Sequence, residues 1–287
     1  MTKPTLGVIG GSGLYQLAGL TDVHELRVDT PFGAPSDAIV KGRLGDTTLL
    51  FVPRHGRGHV HSPSHVPYRA NVYALKALGA THVVSVSAVG SLVDAIAPGH
   101  LVVPSQFIDR THGRAATFFD QGVVAHVAMG DPVCAIMANA VAEAARANGA
   151  TVHTDKTYLC IEGPRFSTRA ESHSWIASGA HIVGMTNAPE VFLAREAELP
   201  YATLALATDY DSWKPHGNVA VEEILAVLKH NIALAQAAIA TLAASLPDVS
   251  RSAARSALTH AVMTAPDHIT AEARIRYGLL LARALDG

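Results

Sequence analysis

Strand-like and helix-like segments alternate along most of the chain, and this alternation constrains the fold more than any other feature. Short apolar or β-branched runs lie at residues 47–52, 158–161, 181–185 and 201–206, and each precedes a longer segment with helical character. Alternation of this kind is typical of α/β proteins, in which helices cover a central sheet. We therefore predict one α/β domain over residues 1–287, with a mixed, twisted sheet surrounded by helices.

Local signals set the limits of several predicted elements. A hairpin is predicted from strands 38–43 and 47–52 around Gly45 and Asp46, and a helix over 64–78 with Ser64 as N-cap. Residues 107–120 are polar and predicted to be irregular. Further helices are predicted over 132–148, 168–176 with Thr168 as N-cap, 189–199 and 221–246. Segments 258–262 and 271–285 are predicted to be helical, so that about residues 248–287 form a helical appendage.

Composition excludes several classes of function. The net charge is -2, with 49% hydrophobic and 16% charged residues, so no basic surplus favours nucleic acid or an anionic membrane surface. We expect no segment that approaches the ~18 apolar residues of a membrane span. Cys134 and Cys160 suggest neither a disulfide framework nor a four-ligand zinc site. These features predict a cytoplasmic globular protein.

Polar or small residues follow several predicted strands where each strand ends. In open α/β sheets such strand ends gather in one crevice. Hydroxyls, an arginine, a histidine and backbone N–H groups suit phosphate or sulfate. Two carboxylates would repel such an anion, so they must have a different role. The combination suggests a reaction in which an anion attacks and a base leaves. The residues concerned are Ser12, Arg54, His55, Ser87, Ala88, Thr186, Asp209 and Asp211.

Two of these features have alternative interpretations. Asp209 and Asp211 would point the same way from an extended backbone, although a solvated acidic turn explains them equally well. A histidine-rich loop invites a metal site, but Arg54 and Arg57 repel a cation and offer forked donors to an anion. The loop therefore favours an anion over a metal, and a solvated basic loop remains open. Its histidines are His55, His59, His61 and His65.

A series of sequence motifs follows one another in chain order from about Leu6 to about Leu228. They are GVIGGSGLY, DTPFGAPSDA, RHGRGH, YRANVYALKALG, SAVGSL, IDRT, IEGPRFSTRAES, GMTNAPEVFLAREAELPYA and ATDYDSWKPH. In these motifs the chain resembles the trimeric purine nucleoside phosphorylase family, and within it the members that act on S-methyl-5'-thioadenosine. The resemblance implies a phosphorylase/hydrolase-like fold.

The resemblance implies reversible phosphorolysis of methylthioadenosine to adenine and 5-methylthioribose 1-phosphate. Inorganic phosphate is then a co-substrate, and no metal or organic cofactor and no covalent intermediate are expected. Arg54 would supply a charged fork, while hydroxyls and amides would fix the orientation of phosphate. The implied phosphate ligands are Ser12, Arg54, His55, Ser87, the Ala88 backbone N–H and Thr186.

The resemblance also implies how the nucleoside is bound. Phe166 would pack on the purine with Ser167 beside the base, and Met185 would pack on the ribose. Asp209 would bond the 6-amino group and N7, with Asp211 and Thr208 assisting. Relatives that act on 6-oxopurines carry Asn at this position, so Asp209 favours adenine. We hypothesise that a protonated Asp209 stabilises the departing purine, if burial raises its pKa.

Contacts at the 5' end and between subunits are expected as well. His59, Val221 and Ile224 are candidates for holding the methylthio group, although ordinary helix core explains the latter two equally well. His126 lies in a segment, HVAMGDP, that resembles the one reaching into a neighbouring subunit. A homotrimer or a dimer of trimers is therefore expected.

Three other functions remain open. A broader purine nucleoside phosphorylase, or one specific for methylthioinosine, would use the same site on a different base or sugar. A metal-dependent hydrolase would instead use the histidine-rich loop. A non-catalytic nucleoside-binding module is disfavoured, because every implied phosphate position carries a suitable group.

Overall fold

The computed structural model describes residues 4–15, 17–215 and 221–285, and the side chains of Ser12, Tyr15, residues 221–225 and Leu285 lie outside this description. Nine strands form one mixed sheet, which confirms the predicted α/β class. The strands are β1 (Thr5–Gly10), β2 (Thr21–Leu26), β3 (Ile39–Leu44), β4 (Thr47–Pro53), β5 (His82–Ser91), β6 (Leu101–Arg110), β7 (Val152–Ile161), β8 (Ile182–Gly184) and β9 (Tyr201–Tyr210).

The sheet closes on itself at one end. Its order is β2-β3-β4-β1-β5-β8-β7-β6-β9, and β9 pairs with both β6 and β5, so that five strands form a small barrel. β1 runs parallel to β4 and to β5, which places their carboxyl ends at one edge. This closure removes the free edge that an open sheet would leave at β9.

Helices cover both faces of the sheet, as the alternation predicted. α2 and α5 pack on one face through Met137, Val141 and Ile239, whereas α1, α4 and α6 pack on the other through Val72, Val191 and Tyr277. The C-terminal helix thus shares a buried cluster with α4 and with α1, which precedes it by more than a hundred residues. The helices are α1 (Tyr68–Ala77), α2 (Ala135–Ala147), α3 (Arg169–Ala177), α4 (Asn187–Glu196), α5 (Val221–Ala244) and α6 (Ala271–Leu285).

Several predicted limits are wrong for identifiable reasons. The helix predicted from Ser64 begins at Tyr68, because Pro67 holds Val66 in an extended conformation (φ -60°, ψ 127°), and Ser64 does not cap it. The irregular segment predicted from Phe107 is strand as far as Arg110, since β6 accommodates Pro104 with register shifts.

Two further differences involve the edge strand and the appendage. β2 was not predicted, because five of its six residues are exposed and show no apolar alternation. The predicted helix at 258–262 is a turn whose backbone bonds elsewhere: the Ala261 carbonyl accepts from the N–H of His126, and Ala125 pairs with Val262. The hairpin is confirmed, with Leu44 opposite Thr47 and Gly45 at φ 58°.

One helix corrects the expectation about apolar length. Within the described ranges, Ala226–Ala244 of α5 is long and apolar enough to cross a membrane by length and composition. The same composition is typical of a core helix, and Ala235, Ala238, Ile239 and Leu242 pack into the cluster beneath the sheet. α5 therefore has a place in the core of the fold.

A buried acid on α4 gives the fold a pH dependence. Burial raises the pKa of Glu196, and hydrogen bonds from the Phe118 N–H and the Thr117 hydroxyl (both 2.7 Å) offset only part of this rise. The resulting pKa is about 7. In the unfolded chain, a glutamate has a pKa of about 4.3. Between these two pKa values the folded chain binds more protons than the unfolded chain, so stability falls as pH rises across that window.

Replacing Glu196 by Gln should remove this pH dependence, because Gln imitates the protonated carboxyl. Between about pH 4.5 and 7.5, the free energy of unfolding of the original chain should fall by about 3 kcal/mol relative to Glu196→Gln. Urea unfolding of both proteins across this range measures the difference, and all other titrating groups cancel in it. Parallel pH profiles would contradict the assignment.

Candidate active site

A cavity of about 740 Å³ opens where β5 changes partners. β5 pairs with β1 as far as Ser85, opposite Ile9, and with β8 only from Gly90, opposite Val183. Between these points no described strand occupies that edge of β5. The carboxyl ends of β1, β4 and β9 lie around the gap, which is the position expected for a site in a parallel sheet.

The cavity brings together most of the residues singled out from the sequence. The His126 side chain does not line it in this chain, and the side chains of Ser12, Val221 and Ile224 lie outside the described residues. The residues that do line it are Arg54, His55, His59, Phe166, Ser167, Ser87, Ala88, Met185, Thr186, Thr208, Asp209 and Asp211.

Arg54 is held by a buried carboxylate that the sequence did not reveal. Its Nε lies 2.8 Å from Glu190 Oε2 and its Nη2 lies 3.1 Å from Glu190 Oε1, with both side chains almost fully buried. Burial alone would lower the pKa of Arg54, but the charge and hydrogen bonds of Glu190 outweigh it and the pKa is raised. Arg54 is therefore a fixed cation whose charge Glu190 already balances.

Little of the Arg54 guanidinium is left for a ligand. Nη2 also donates to Ser85 Oγ (2.6 Å), and Nη1 donates to the Val86 carbonyl (2.9 Å). A guanidinium has five N–H groups, so one hydrogen on Nη1 has no acceptor among the described residues. The expected two-pronged contact with an anion is thus reduced to one N–H in this structure.

Ser87 and Thr186 lie at neighbouring points of the same wall. The Ser87 hydroxyl donates to Asn187 Oδ1 (2.9 Å), and Thr186 is the N-cap residue of α4 but makes no capping hydrogen bond. Because Ala188 is not helical (φ -103°, ψ 130°), Thr186 offers an anion its hydroxyl rather than a regular helix N-terminus. Asn187 was overlooked in the sequence, where an Asn after Thr186 carries no signal of its own.

The histidines of the loop are dispersed rather than convergent. The rings of His55 and His59 stack with centroids 4.1 Å apart. His61 Nε2 lies 3.2 Å from the Ser36 carbonyl, and His65 Nδ1 lies 2.8 Å from Ser62 Oγ. Over the described parts of the chain, no group of three or more His, Cys, Asp or Glu residues could hold a metal ion.

The opposite end of the cavity is formed by the segment before α3. Thr168 caps α3 as predicted: its hydroxyl accepts from the Glu171 N–H (3.2 Å), and Glu171 accepts from the Thr168 N–H (2.7 Å). This capping box fixes the turn that carries Phe166 and Ser167. The Phe166 ring is 76% exposed, so it offers an uncovered apolar face at the cavity mouth.

The two carboxylates project from the end of β9. The Thr208 hydroxyl lies 2.7 Å from Asp209 Oδ2, and the backbone N–H of Asp211 donates to the Ser91 carbonyl (3.0 Å). Asp211 Oδ2 is buried, and the described residues offer it no hydrogen-bond partner. Buried oxygens are normally satisfied, so this one is available to a donor in the cavity.

The remaining wall is apolar. Leu14, Leu206, Leu228 and Ile232 line it. Only Val221 and Ile224 were predicted on this part of the wall, although positions 228 and 232 continue the same face of α5 at helical spacing. Extending the periodicity by two turns would have identified both residues.

Arg114 supports the backbone of the cavity wall, and no pattern in the sequence indicated this role. It donates from Nη1 to the carbonyls of Met185 (2.8 Å) and Ala188 (2.7 Å), and from Nη2 to the Glu162 carbonyl (2.7 Å). These bonds join the segment before α3 to the segment between β8 and α4. Arg114 thereby fixes the backbone of Met185 relative to the opposite wall.

Comparison with known proteins identifies the family. A model described as "Phosphorylase superfamily" matches residues 5–244. The chain belongs to this superfamily. The match ends with α5, so it leaves out α6 and the segment before it, which is also where the resemblance in the sequence becomes loose.

Several curated relatives of this phosphorylase-superfamily chain carry the same name. S-methyl-5'-thioadenosine phosphorylase of Geobacter sulfurreducens is 50% identical over 281 residues, covering 97% of this chain and 98% of that protein. The protein of the same name from Hyperthermus butylicus is 50% identical over 246 residues, covering 85% and 89%. These relatives match the chain over most of their own length.

Solved structures agree with the fold of this superfamily member. A methylthioadenosine phosphorylase from an antarctic soil metagenomic library has a TM-score of 0.92 at 46% identity, covering 98% of this chain and 100% of that chain. Methylthioadenosine phosphorylase from Schistosoma mansoni in complex with adenine has a TM-score of 0.81 at 35% identity, covering 98% and 99%.

Proposed function

We propose that this chain catalyses the reversible phosphorolysis of S-methyl-5'-thioadenosine to adenine and 5-methylthioribose 1-phosphate. The observation that carries the proposal is one cavity with anion-binding groups on one wall and two carboxylates on another. The names of the relatives that match nearly the whole chain support it. The enzyme would thus be a pentosyltransferase with phosphate as co-substrate.

The phosphate half of the site is assigned to the strand ends around β5. Ser87, the Ala88 backbone N–H, Thr186, His55 and the remaining Nη1 hydrogen of Arg54 would contact the anion. Ser12, in the turn after β1, is assigned to the same anion from the sequence alone. Because Glu190 balances the charge of Arg54, the fixed hydroxyls and amides supply much of the orientation.

The base half is assigned to the residues that face this anion across the cavity. Cleavage of the N-glycosidic bond builds positive charge on the ribose and negative charge on the departing purine. The bound anion stabilises the first, and a proton or strong hydrogen bond from Asp209 to N7 stabilises the second. Phe166, Ser167, Met185, Thr208 and Asp211 complete the nucleoside contacts.

The apolar wall is assigned to the 5' end of the nucleoside. His59 would flank the methylthio group, and Leu228 and Ile232 would continue the surface that Val221 and Ile224 begin on α5. An apolar wall favours a methylthio group over a 5'-hydroxyl, because the hydroxyl would lose its hydrogen bonds to water there.

We further propose that the enzyme acts as a cytoplasmic homotrimer or dimer of trimers. His126 does not line the cavity of its own chain, whereas Phe166 leaves a ring largely exposed at the mouth. A neighbouring subunit that supplies His126 would cover this opening. Sedimentation analysis should then find a trimer or a multiple of it, and a fully active monomer would contradict the assignment.

A panel of four nucleosides tests the substrate. Methylthioadenosine, adenosine, inosine and methylthioinosine are compared by kcat/KM with saturating phosphate. Methylthioadenosine should be cleaved best and both 6-oxopurine nucleosides poorly. Preference for inosine would indicate a broader purine nucleoside phosphorylase, and preference for methylthioinosine would overturn the assignment of Asp209 to the 6-amino group.

A further inference from the structure

A buried polar network connects the carboxylate that holds Arg54 to the wall of the phosphate site. The Tyr201 hydroxyl lies 2.9 Å from Glu190 Oε1, Asn187 Nδ2 lies 2.7 Å from the Tyr201 hydroxyl, and Ser87 Oγ lies 2.9 Å from Asn187 Oδ1. Glu190, Tyr201 and Asn187 are each at most 1% exposed. Water therefore does not compete for these hydrogen bonds.

The chemistry of each group fixes the direction of every bond in this network. Glu190 is the ion-pair partner of Arg54, and carboxylate oxygens only accept, so Tyr201 donates to Glu190. The Tyr201 oxygen then accepts from the amide nitrogen of Asn187, which leaves Asn187 Oδ1 facing Ser87. Ser87 consequently donates its single hydroxyl hydrogen to Asn187. Its oxygen, which also interacts with the buried Tyr158 hydroxyl, therefore has no hydrogen to offer the cavity and can only accept there.

His55 also offers a hydrogen-bond acceptor rather than a donor, for an independent reason. Its Nδ1 lies 2.9 Å from the His61 carbonyl oxygen, which only accepts, so Nδ1 carries the hydrogen. The pKa of His55 is lowered to about 4, chiefly by burial and also by the charges of Arg54 and His59, although the His61 carbonyl and Glu190 act in the opposite direction. The ring is therefore neutral near pH 7, and Nε2 is an acceptor with no hydrogen-bond partner among the described residues.

Together these two groups place hydrogen-bond acceptors where an anion is expected to bind. We propose that the phosphate site selects an oxyanion that carries its own proton, so that it accepts hydrogen phosphate or hydrogen arsenate and disfavours sulfate. This inference rests on the proposed function, because it takes Ser87 and His55 as contacts of the co-substrate. The hydroxyl of hydrogen phosphate donates to Ser87 Oγ or to His55 Nε2. Its other oxygens accept from Thr186, the Ala88 N–H and Arg54.

Sulfate cannot satisfy the same arrangement at neutral pH, because it has no proton to donate. Its oxygens would face the lone pairs of Ser87 and His55. Alternatively, Ser87 would turn its hydrogen toward sulfate and leave the buried Asn187 Oδ1 without a donor. Either outcome leaves a buried polar group unsatisfied, and such a group weakens binding by about tenfold or more.

Competition kinetics test this selectivity. The KM values of phosphate and arsenate and the inhibition constant of sulfate are measured with methylthioadenosine at constant ionic strength, and calorimetry measures phosphate and sulfate binding to the same protein. We expect sulfate to bind at least about tenfold more weakly than phosphate, and arsenate to resemble phosphate. Equal affinities for sulfate and phosphate, or no binding of either anion, would overturn the inference.

Two matched variants distinguish the loss of a hydrogen-bond acceptor from the loss of a donor. Ser87→Ala removes an acceptor, so it should narrow the ratio of sulfate to phosphate dissociation constants by about threefold or more. Thr186→Val removes a donor and should weaken both anions alike. A loss of both anions by the same factor in Ser87→Ala would contradict the inference. If the original enzyme cleaves no nucleoside, the proposed function fails, and the calorimetric ratio still decides the question of selectivity.

Discussion

Replacing Asp209 by Asn should lower kcat/KM for methylthioadenosine by about 100-fold or more, because the amide keeps the shape of the carboxyl but cannot deliver a proton to N7. The KM for phosphate should change by less than about threefold, since the anion contacts lie on other strand ends. Steady-state kinetics with each substrate varied in turn measure both quantities. Thr208, which lies 2.7 Å from Asp209 Oδ2, should hold the new side chain in place.

The control for this substitution is Asp46→Asn. Asp46 lies in the hairpin turn between β3 and β4 and its side chain is fully exposed. Its replacement makes the same change from carboxyl to amide far from the cavity, so both kinetic parameters should stay unchanged. An equal loss of turnover and phosphate affinity in Asp209→Asn would contradict the role in base recognition. A gain of activity on inosine would strengthen it, because an amide can donate to a 6-oxo group.

Replacing Glu190 by Leu should destabilise the protein by about 3–5 kcal/mol, because it leaves the buried Arg54 cation without its partner. Tyr201 would also lose the acceptor of its hydroxyl, and the network that reaches Ser87 would lose its fixed direction. Urea unfolding measures the loss. The double variant Arg54→Met with Glu190→Leu should recover most of that stability, since it removes both charges together.

An exposed ion pair provides the matched control. Arg57 Nη2 lies 2.7 Å from Glu25 Oε1, at a distance like that of the buried pair, but both side chains are about half exposed. Removing Glu25 should therefore cost less than about 1 kcal/mol. If Glu190→Leu cost no more than Glu25→Leu, burial of the Arg54 pair would not have the energetic weight assigned to it.

The sequence predicted local features that depend on neighbouring residues. The hairpin at Gly45 and the N-cap of α3 at Thr168 follow from short-range chemistry, and the structure contains both. The residues predicted to form the site follow strands whose carboxyl ends share one edge of the sheet. For that reason most of them line a single cavity.

Features that depend on distant residues were not predictable in the same way. Arg54 and Glu190 are 136 positions apart in the sequence, so no local pattern predicts their pairing, which helps to reduce the free donors of Arg54 to one N–H. The closure of the barrel depends on β9 pairing with two strands at once. Arg114 reaches the Met185 carbonyl from 71 residues away. Each of these contacts becomes visible only when the strands are placed side by side.

The most direct test of phosphorolysis is whether release of adenine requires phosphate. Methylthioadenosine is incubated with the enzyme in phosphate-free buffer and again with phosphate, with and without a chelator, and the sugar product is identified by phosphorus NMR. Phosphorolysis predicts that adenine is released only with phosphate, that a sugar 1-phosphate forms in equal amount, and that the chelator has no effect. Adenine release at the same rate without phosphate, with free methylthioribose as product, would contradict it.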